Sequence, residues 1–281
     1  MGFWPFFGRT PKVAVLRLSG VISASDRSFS GGLSVASLNI SIQRAFSMRG
    51  VKAVALLINS PGGSPVQSAM ICRRIRTLAL EKELPVFAFI EDVAASGGYW
   101  LACAADEIYA DANSIVGSIG VISSGFGFQD AIQRLGVERR VYSQGKHKAI
   151  LDPFKAEDPE GVEMLMDIQK EIYEGFKLHV RERRGKRLAE ESEQLFGGDV
   201  WTGKRALELG LIDGLGDVYS ITRERFGEEV KIRFVDVPKK WFRRRLGLEA
   251  GFEGNGSFQD NFVEKLWHQL ETRSLWSKYG L

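Results

Sequence analysis

Hydrophobic positions along the first third of this 281-residue chain fall into two alternating patterns. Apolar runs of strand length occupy Lys12 to Ile22 (KVAVLRLSGVI), Val51 to Ile58 (VKAVALLI) and Pro85 to Ile90. Between them, Ser34 to Met48 and Pro65 to about Lys82 carry apolar residues at helical spacing, with Ser64 suited to cap the second helix and Pro65 to begin it. Runs that are apolar at nearly every position belong to strands covered on both faces. A strand, helix, strand, helix order implies an α/β fold with a largely parallel sheet and right-handed crossovers.

Beyond residue 100 the pattern predicts a short strand at Glu107 to Ala110 and a glycine-punctuated turn from Asn113 to Ile122. A helix at Gln129 to Leu135, stopped by Gly136, and a strand at Val137 to Tyr142 follow. A long helix over about Pro159 to Arg184 carries Met164, Leu165, Ile168, Ile172, Phe176 and Val180 near one face and runs into a basic cluster through Arg187, read as a solvated helix end. Val200 to Gly216 reads as a helix between glycines, Asp217 to Phe226 as a further helix, and Val230 to Val237 as the last strand. From Lys239 the composition changes to a basic and glycine-rich stretch, then an amphipathic segment from Phe262 to Trp276 suited to an oligomer or domain contact. The expected organisation is an aromatic arm at 1–11, a main domain at 12–238 and a C-terminal extension at 239–281.

Composition narrows the classes. The 38 basic residues against 35 acidic ones give a net charge of +3, which lends no support to a nucleic-acid partner. Cys72 and Cys103 lie in apolar helical context and read as buried thiols in a reducing compartment. The aromatic start (Phe3, Trp4, Phe6 and Phe7) is shorter than a membrane span and lacks the marks of a signal peptide, so a cytoplasmic or peripherally membrane-associated location is expected, with attachment through Phe3 to Phe7 or the tail.

Candidate chemistry gathers where strands end. Two successive strands deliver glycine-bearing turns, NSPGGS at Asn59 to Ser64 and ASGGYW at Ala95 to Trp100, to one sheet edge. Ser96 would stand at a strand-to-helix turn, where helix amides point at whatever bonds to it and the glycines let a substrate approach. A serine hydroxyl needs a base. His179 lies on the long helix and His268 in the tail, which leaves His147 and its neighbour Lys148, and sequence physics does not separate the two. The phosphate-loop-like stretch from Gly198 to Lys204 lacks the required Ser or Thr, and three histidines and two cysteines show no metal-ligand spacing, so no cofactor is expected.

Six segments in order over roughly Lys12 to Val237 (Gly20-Val-Ile22, NSPGGS, ASGGYW, VGSIGVI, GKHKAILDPF and WTGKRALELGLIDGLG) resemble the signal peptide peptidase A and SohB-like serine peptidases. The resemblance implies a crotonase-like fold, similar to the Clp protease subunit, and a Ser-Lys dyad. Carried over residue by residue, the nucleophile falls on Ser96 and the general base on Lys148. Ser118 falls on the serine that orients the lysine, and the oxyanion hole on the amides of Gly63 and Gly97. It further implies hydrophobic peptide substrates such as signal-peptide remnants, and a ring or dome-like homo-oligomer in which neighbouring subunits can complete the dyad. The rival classes are a crotonase-fold acyl-CoA enzyme, which would need an acid/base carboxylate and a nucleotide site, and a silent peptide-binding scaffold.

Overall fold

The computed structural model describes residues 10–24, 32–189, 194–235 and 274–280. Residues 1–9 of the aromatic arm and most of the C-terminal extension, including Phe262 to Arg273, lie outside them. The elements in order are β1 (Lys12–Ser19), α1 (Val35–Ser47), β2 (Val51–Ser60), α2 (Pro65–Lys82), β3 (Val86–Ala95), α3 (Gly97–Ala102), β4 (Glu107–Ala110) and β5 (Ile115–Gly117). They continue with α4 (Gln129–Arg134), α5 (Pro159–Arg184), β6 (Val200–Thr202), α6 (Gly203–Glu208), β7 (Gly214–Leu215), α7 (Val218–Phe226) and β8 (Lys231–Phe234).

The strands form one sheet with the path β6-β5-β3-β2-β1-β8, while β4 pairs with both β3 and β7. Every pairing is parallel except β5 with β6. This is the expected α/β architecture. Side chains alternate between sheet faces with period two. Val13, Val15, Ala53, Ala55, Leu57, Phe87 and Phe89 line one face, against Tyr109 and Val218 and under Ile221 and Phe226 of α7. The alternate positions Ala14, Leu16, Leu18, Leu56 and Ile58 are as deeply buried, which is why the runs read as continuous apolar stretches.

The helix boundaries follow their capping residues. Ser34 and Asp217 close capping boxes on α1 and α7, and Ser64 accepts from the Gln67 amide ahead of α2 with Pro65 in its first turn.

The basic cluster at the end of the long helix is not the solvated helix end expected, since Arg184 is buried on Asp213 (2.7 Å), and three further segments depart from expectation. β3 continues past Ile90 to Ala95 because the charged pair in its middle is partnered: Glu91 with Arg17 (3.0 Å) and Asp92 with the Asn59 side chain (2.6 Å). Residues 137–142 form no strand, and Val137 and Tyr142 are exposed. Their apolar run lacks a partner ladder, without which an isolated strand is not stable. The Val200 to Gly216 segment is a strand, a helix and a strand: its β-branched and aromatic start, Val-Trp-Thr, pairs antiparallel with β5, and Thr202 then caps α6.

The chain divides into two compact units, one comprising the residues up to Ile119 together with those from His179 onward, the other Gly120–Leu178. In the second unit the Phe128 amide donates to the Pro153 carbonyl (2.6 Å), Phe128 packs on Phe154 (5.7 Å), and the Arg139 guanidinium holds Asp152 (3.0 Å) and lies over the Phe154 ring. Along α5 in this unit Ile168 is half exposed and Met164 is at the exposed margin.

Candidate active site

Ser96 is the single residue between β3 and α3. Its backbone sits at φ 52°, ψ −122°, a left-handed conformation unusual for a residue with a Cβ. Such strain costs on the order of 1–3 kcal/mol and persists only where neighbours over-determine it. Here the Ser96 amide donates to the Gly117 carbonyl (2.8 Å), and its carbonyl accepts from Trp100 (3.0 Å) to open α3. The side chain makes no capping bond, so the hydroxyl at the helix mouth is uncommitted and partly exposed.

The second turn interlocks with the first. The Gly62 amide donates to the buried Ser60 hydroxyl (3.2 Å), Ile22 donates to the Gly62 carbonyl (2.8 Å), and the Ser64 amide donates back to the Ile22 carbonyl (2.8 Å). A Cβ on Gly62 would stand 2.9 Å from both the Ala95 carbonyl oxygen and the Ser96 Cβ, so only glycine lets the two turns meet. A Cβ on Gly97 would stand 3.4 Å from the Gly63 amide nitrogen, which places the two glycine mouths side by side. Neither the Gly63 nor the Gly97 amide donates in the surrounding turn and cap network. Paired free amides of this kind suit an oxygen that gains negative charge.

Ser118 also belongs to this unit. β3 pairs with β5 through Ala95 and Gly117, so Ser96 and Ser118 each follow directly on that pair. Ser118 shares the strained conformation (φ 51°), its amide fixed to the Asp199 carbonyl (2.6 Å). Of four left-handed non-glycine residues among those described, two are candidate site residues.

Lys148 and His147 lie in the other unit. Lys148 is exposed, and its amide donates to the Gly145 carbonyl (3.2 Å). The His147 Nε2 stands 3.7 Å from Glu160, which also pairs with Lys146, and its Nδ1 is buried without a partner. His147, Asp158 and Glu160 offer donor atoms within 4.8 Å of one another, the group among the described residues that could hold a metal ion, although the Lys146 ammonium already occupies Glu160. His179 is no base for Ser96. It stacks on Trp100 (5.1 Å between centroids), and burial pulls its pKa down to about 4. Cys72 and Cys103 are buried as expected, with burial pushing both thiols up to about 12.

Two neighbours of the site are absent from the sequence reading. A Cβ on Gly97 would meet the Ser68 hydroxyl at 2.5 Å, and one on Gly117 would meet the Trp201 ring at 2.7 Å. Ser68 was legible in principle, one helical turn after the cap Ser64, to whose carbonyl it donates (2.9 Å). Trp201 was not, since its approach depends on the antiparallel pairing of β5 with β6. A cleft of about 590 Å³, lined by Arg17, Phe89, Asp92, Asp111, Asp217 and Tyr219 among others, includes none of the candidate site residues.

Among the described residues no helix is long and apolar enough to cross a membrane. The sequence matches the family described as Peptidase family S49 over residues 79–231, more than half of the chain. A Brucella abortus (strain 2308) protein named Na(+)/H(+) antiporter NhaA is 44% identical over 273 residues, covering 96% of this chain and 37% of that protein. The Arabidopsis thaliana protein named serine protease SPPA, chloroplastic, is 33% identical over 216 residues, 74% of this chain and 31% of its own. A putative protease of Synechocystis sp. is 29% identical over 255 residues, 88% of this chain and 87% of its own. The chain thus spans about a third of the first two of these relatives. By its family match and its relatives, the chain belongs to peptidase family S49.

Proposed function

We propose that the chain is a serine endopeptidase in which Ser96 attacks the peptide carbonyl, Lys148 serves as general base with Ser118 orienting it, and the amides of Gly63 and Gly97 receive the oxyanion. The observation that carries this reading is Ser96 itself: a strained serine with an uncommitted hydroxyl, at a helix mouth pressed against a second glycine turn. Attack forms a C–O bond and a tetrahedral oxyanion. The serine proton passes to the neutral lysine amine and from there to the leaving amine, and water then cleaves the acyl-enzyme. The substrates proposed are hydrophobic peptides such as signal-peptide remnants, the class implied by the resemblance of the sequence motifs.

Lys148 is exposed in the single chain, whereas a base must shed its proton near neutral pH, which desolvation favours. The proposal therefore includes a homo-oligomer whose neighbouring subunit covers the lysine and completes the dyad.

The test is peptidase activity on hydrophobic peptides for Ser96→Ala, Lys148→Ala and His147→Ala. Ser96→Ala and Lys148→Ala should each lower kcat by about a thousandfold or more, with His147→Ala near wild type. Full activity of Ser96→Ala would sink the reading, and a dead His147→Ala beside an active Lys148→Ala would replace the base.

A further inference from the structure

We infer that Arg183, together with Arg76, is a positioning clamp for the helix that carries the nucleophile, gripping the far end of α3; this rests on the reading of Ser96 as nucleophile. Directly after α3 come three consecutive carbonyls, those of Cys103, Ala104 and Ala105, and arginines take all of them. The Arg183 Nε donates to Cys103 (2.8 Å), a terminal Arg183 nitrogen donates to Ala105 (2.8 Å), and a terminal Arg76 nitrogen donates to Ala104 (3.2 Å). Asp106 lies between the two guanidinium groups, 2.7 Å from Arg76 and 3.4 Å from Arg183, and offsets their charge.

The arrangement follows from helix physics. The last carbonyls of α3 accept from the amides of Cys103, Ala104 and Ala105, so the arginines hold the carbonyls of the cap residue and of the two residues after it, where a cation also complements the helix dipole. A guanidinium fork holds two carbonyls in a fixed planar geometry, whereas an ammonium on its flexible stem holds them loosely. Four residues before Arg183 on the same face of α5, His179 stacks on Trp100 of α3 with its Nε2 3.4 Å from the Trp100 carbonyl oxygen. The last turns of α5 thus meet α3 at its middle and at its end.

α3 has only six residues, about 9 Å of helix at 1.5 Å per residue, so a shift at its C-terminal end carries through to its first turn. That turn holds Ser96 and the Gly97 amide. Misplacing reacting groups by about 1 Å costs on the order of a hundredfold in rate, and such a loss falls on kcat. Arg183 is also the separable part of the frame. Its side chain is 26% exposed, whereas the neighbouring Arg184 is buried and holds Asp213.

The experiment measures kcat and KM of the full chain on a hydrophobic peptide for Arg183→Ala, Arg183→Lys and Arg76→Ala, beside amide hydrogen exchange over 97–101. Arg205→Ala serves as a control that breaks an exposed ion pair with Glu208. The expected result is a kcat lowered about tenfold or more in Arg183→Ala with KM within about twofold, part of the loss recovered in Arg183→Lys, and faster exchange over 97–101. Arg205→Ala should match wild type. If Arg183→Ala does not fold, Arg183→Lys and Arg76→Ala are judged by the same criteria. A kcat within about twofold of wild type, a loss confined to KM, or unchanged exchange in α3 would overturn the clamp. An active Ser96→Ala or an inactive wild type would instead sink the nucleophile reading, while exchange in α3 still judges the clamp.

Discussion

Ser96 carries its cost in its own backbone. With φ at 52° the residue occupies a region that glycine enters freely, so Ser96→Gly should relieve strain that Ser96→Ala retains. Allowing for the extra freedom glycine gains in the unfolded chain, the net stabilisation should be about 1 kcal/mol, or roughly 2–4 °C in Tm. Thermal unfolding of the two variants checks it: both should be inactive, with only the glycine variant more stable than wild type. A lower Tm for Ser96→Gly would mean that the serine side chain, not its strain, dominates at this turn. Gly62 and Gly63 complement this geometry, since a Cβ on Gly63 would lie 2.1 Å from the Ile22 carbonyl oxygen.

Among the elements, α3 is short and depends on what surrounds it. Tyr99 is fully buried and donates through its hydroxyl to the Leu211 carbonyl (2.7 Å). Beside it the buried Arg184 donates to Gly210 (2.9 Å) and grips Asp213 with two nitrogens (2.7 and 3.1 Å), while Asp213 also accepts from the Ile108 amide (2.7 Å). Burial lowers the Arg184 pKa, and the hydrogen bonds and charge of Asp213 outweigh it, leaving the group raised and charged. Asp213→Asn would leave that cation in the interior without its counter-charge, at a cost of about 3–5 kcal/mol. A fall of that size in chemical denaturation is expected, and a change below about 1 kcal/mol would show that Arg184 finds another partner. β3 shows why an element can be under-read from sequence. Its apolar run ends at Ile90, and the partners of Glu91 and Asp92, with the β5 ladder beyond them, carry the strand on to Ala95.

For the whole molecule, His179 makes folding depend on pH. Its native pKa is about 4 against 6.5 when unfolded, chiefly through burial. Between these values the unfolded chain binds a proton that the native state refuses, so stability is full above about pH 6.5 and declines as pH falls toward 4. At pH 5 the penalty reaches about 2 kcal/mol as an upper figure. Denaturation of wild type and His179→Gln at pH 7.5 and 5 checks the sign: the wild type should lose more stability than the variant, and equal losses would assign the acid sensitivity elsewhere. This dependence concerns folding and is separate from the alkaline rise in activity expected of a lysine base.

The residues alone determined the alternation that makes a parallel sheet, the cap at Ser64, and the delivery of two glycine turns to one sheet edge. These are local properties: side-chain periodicity, hydrogen bonding to nearby amides and the missing Cβ of glycine. Tertiary structure decided what depends on distant partners. It extended β3 through its charged pair, left 137–142 without a ladder, turned Val200 to Thr202 into an antiparallel edge of the sheet and drew Arg76 and Arg183 onto the end of α3. It also gave Ser96 its strain, because φ at that residue is held by the carbonyl of Gly117, twenty-one positions away in the chain.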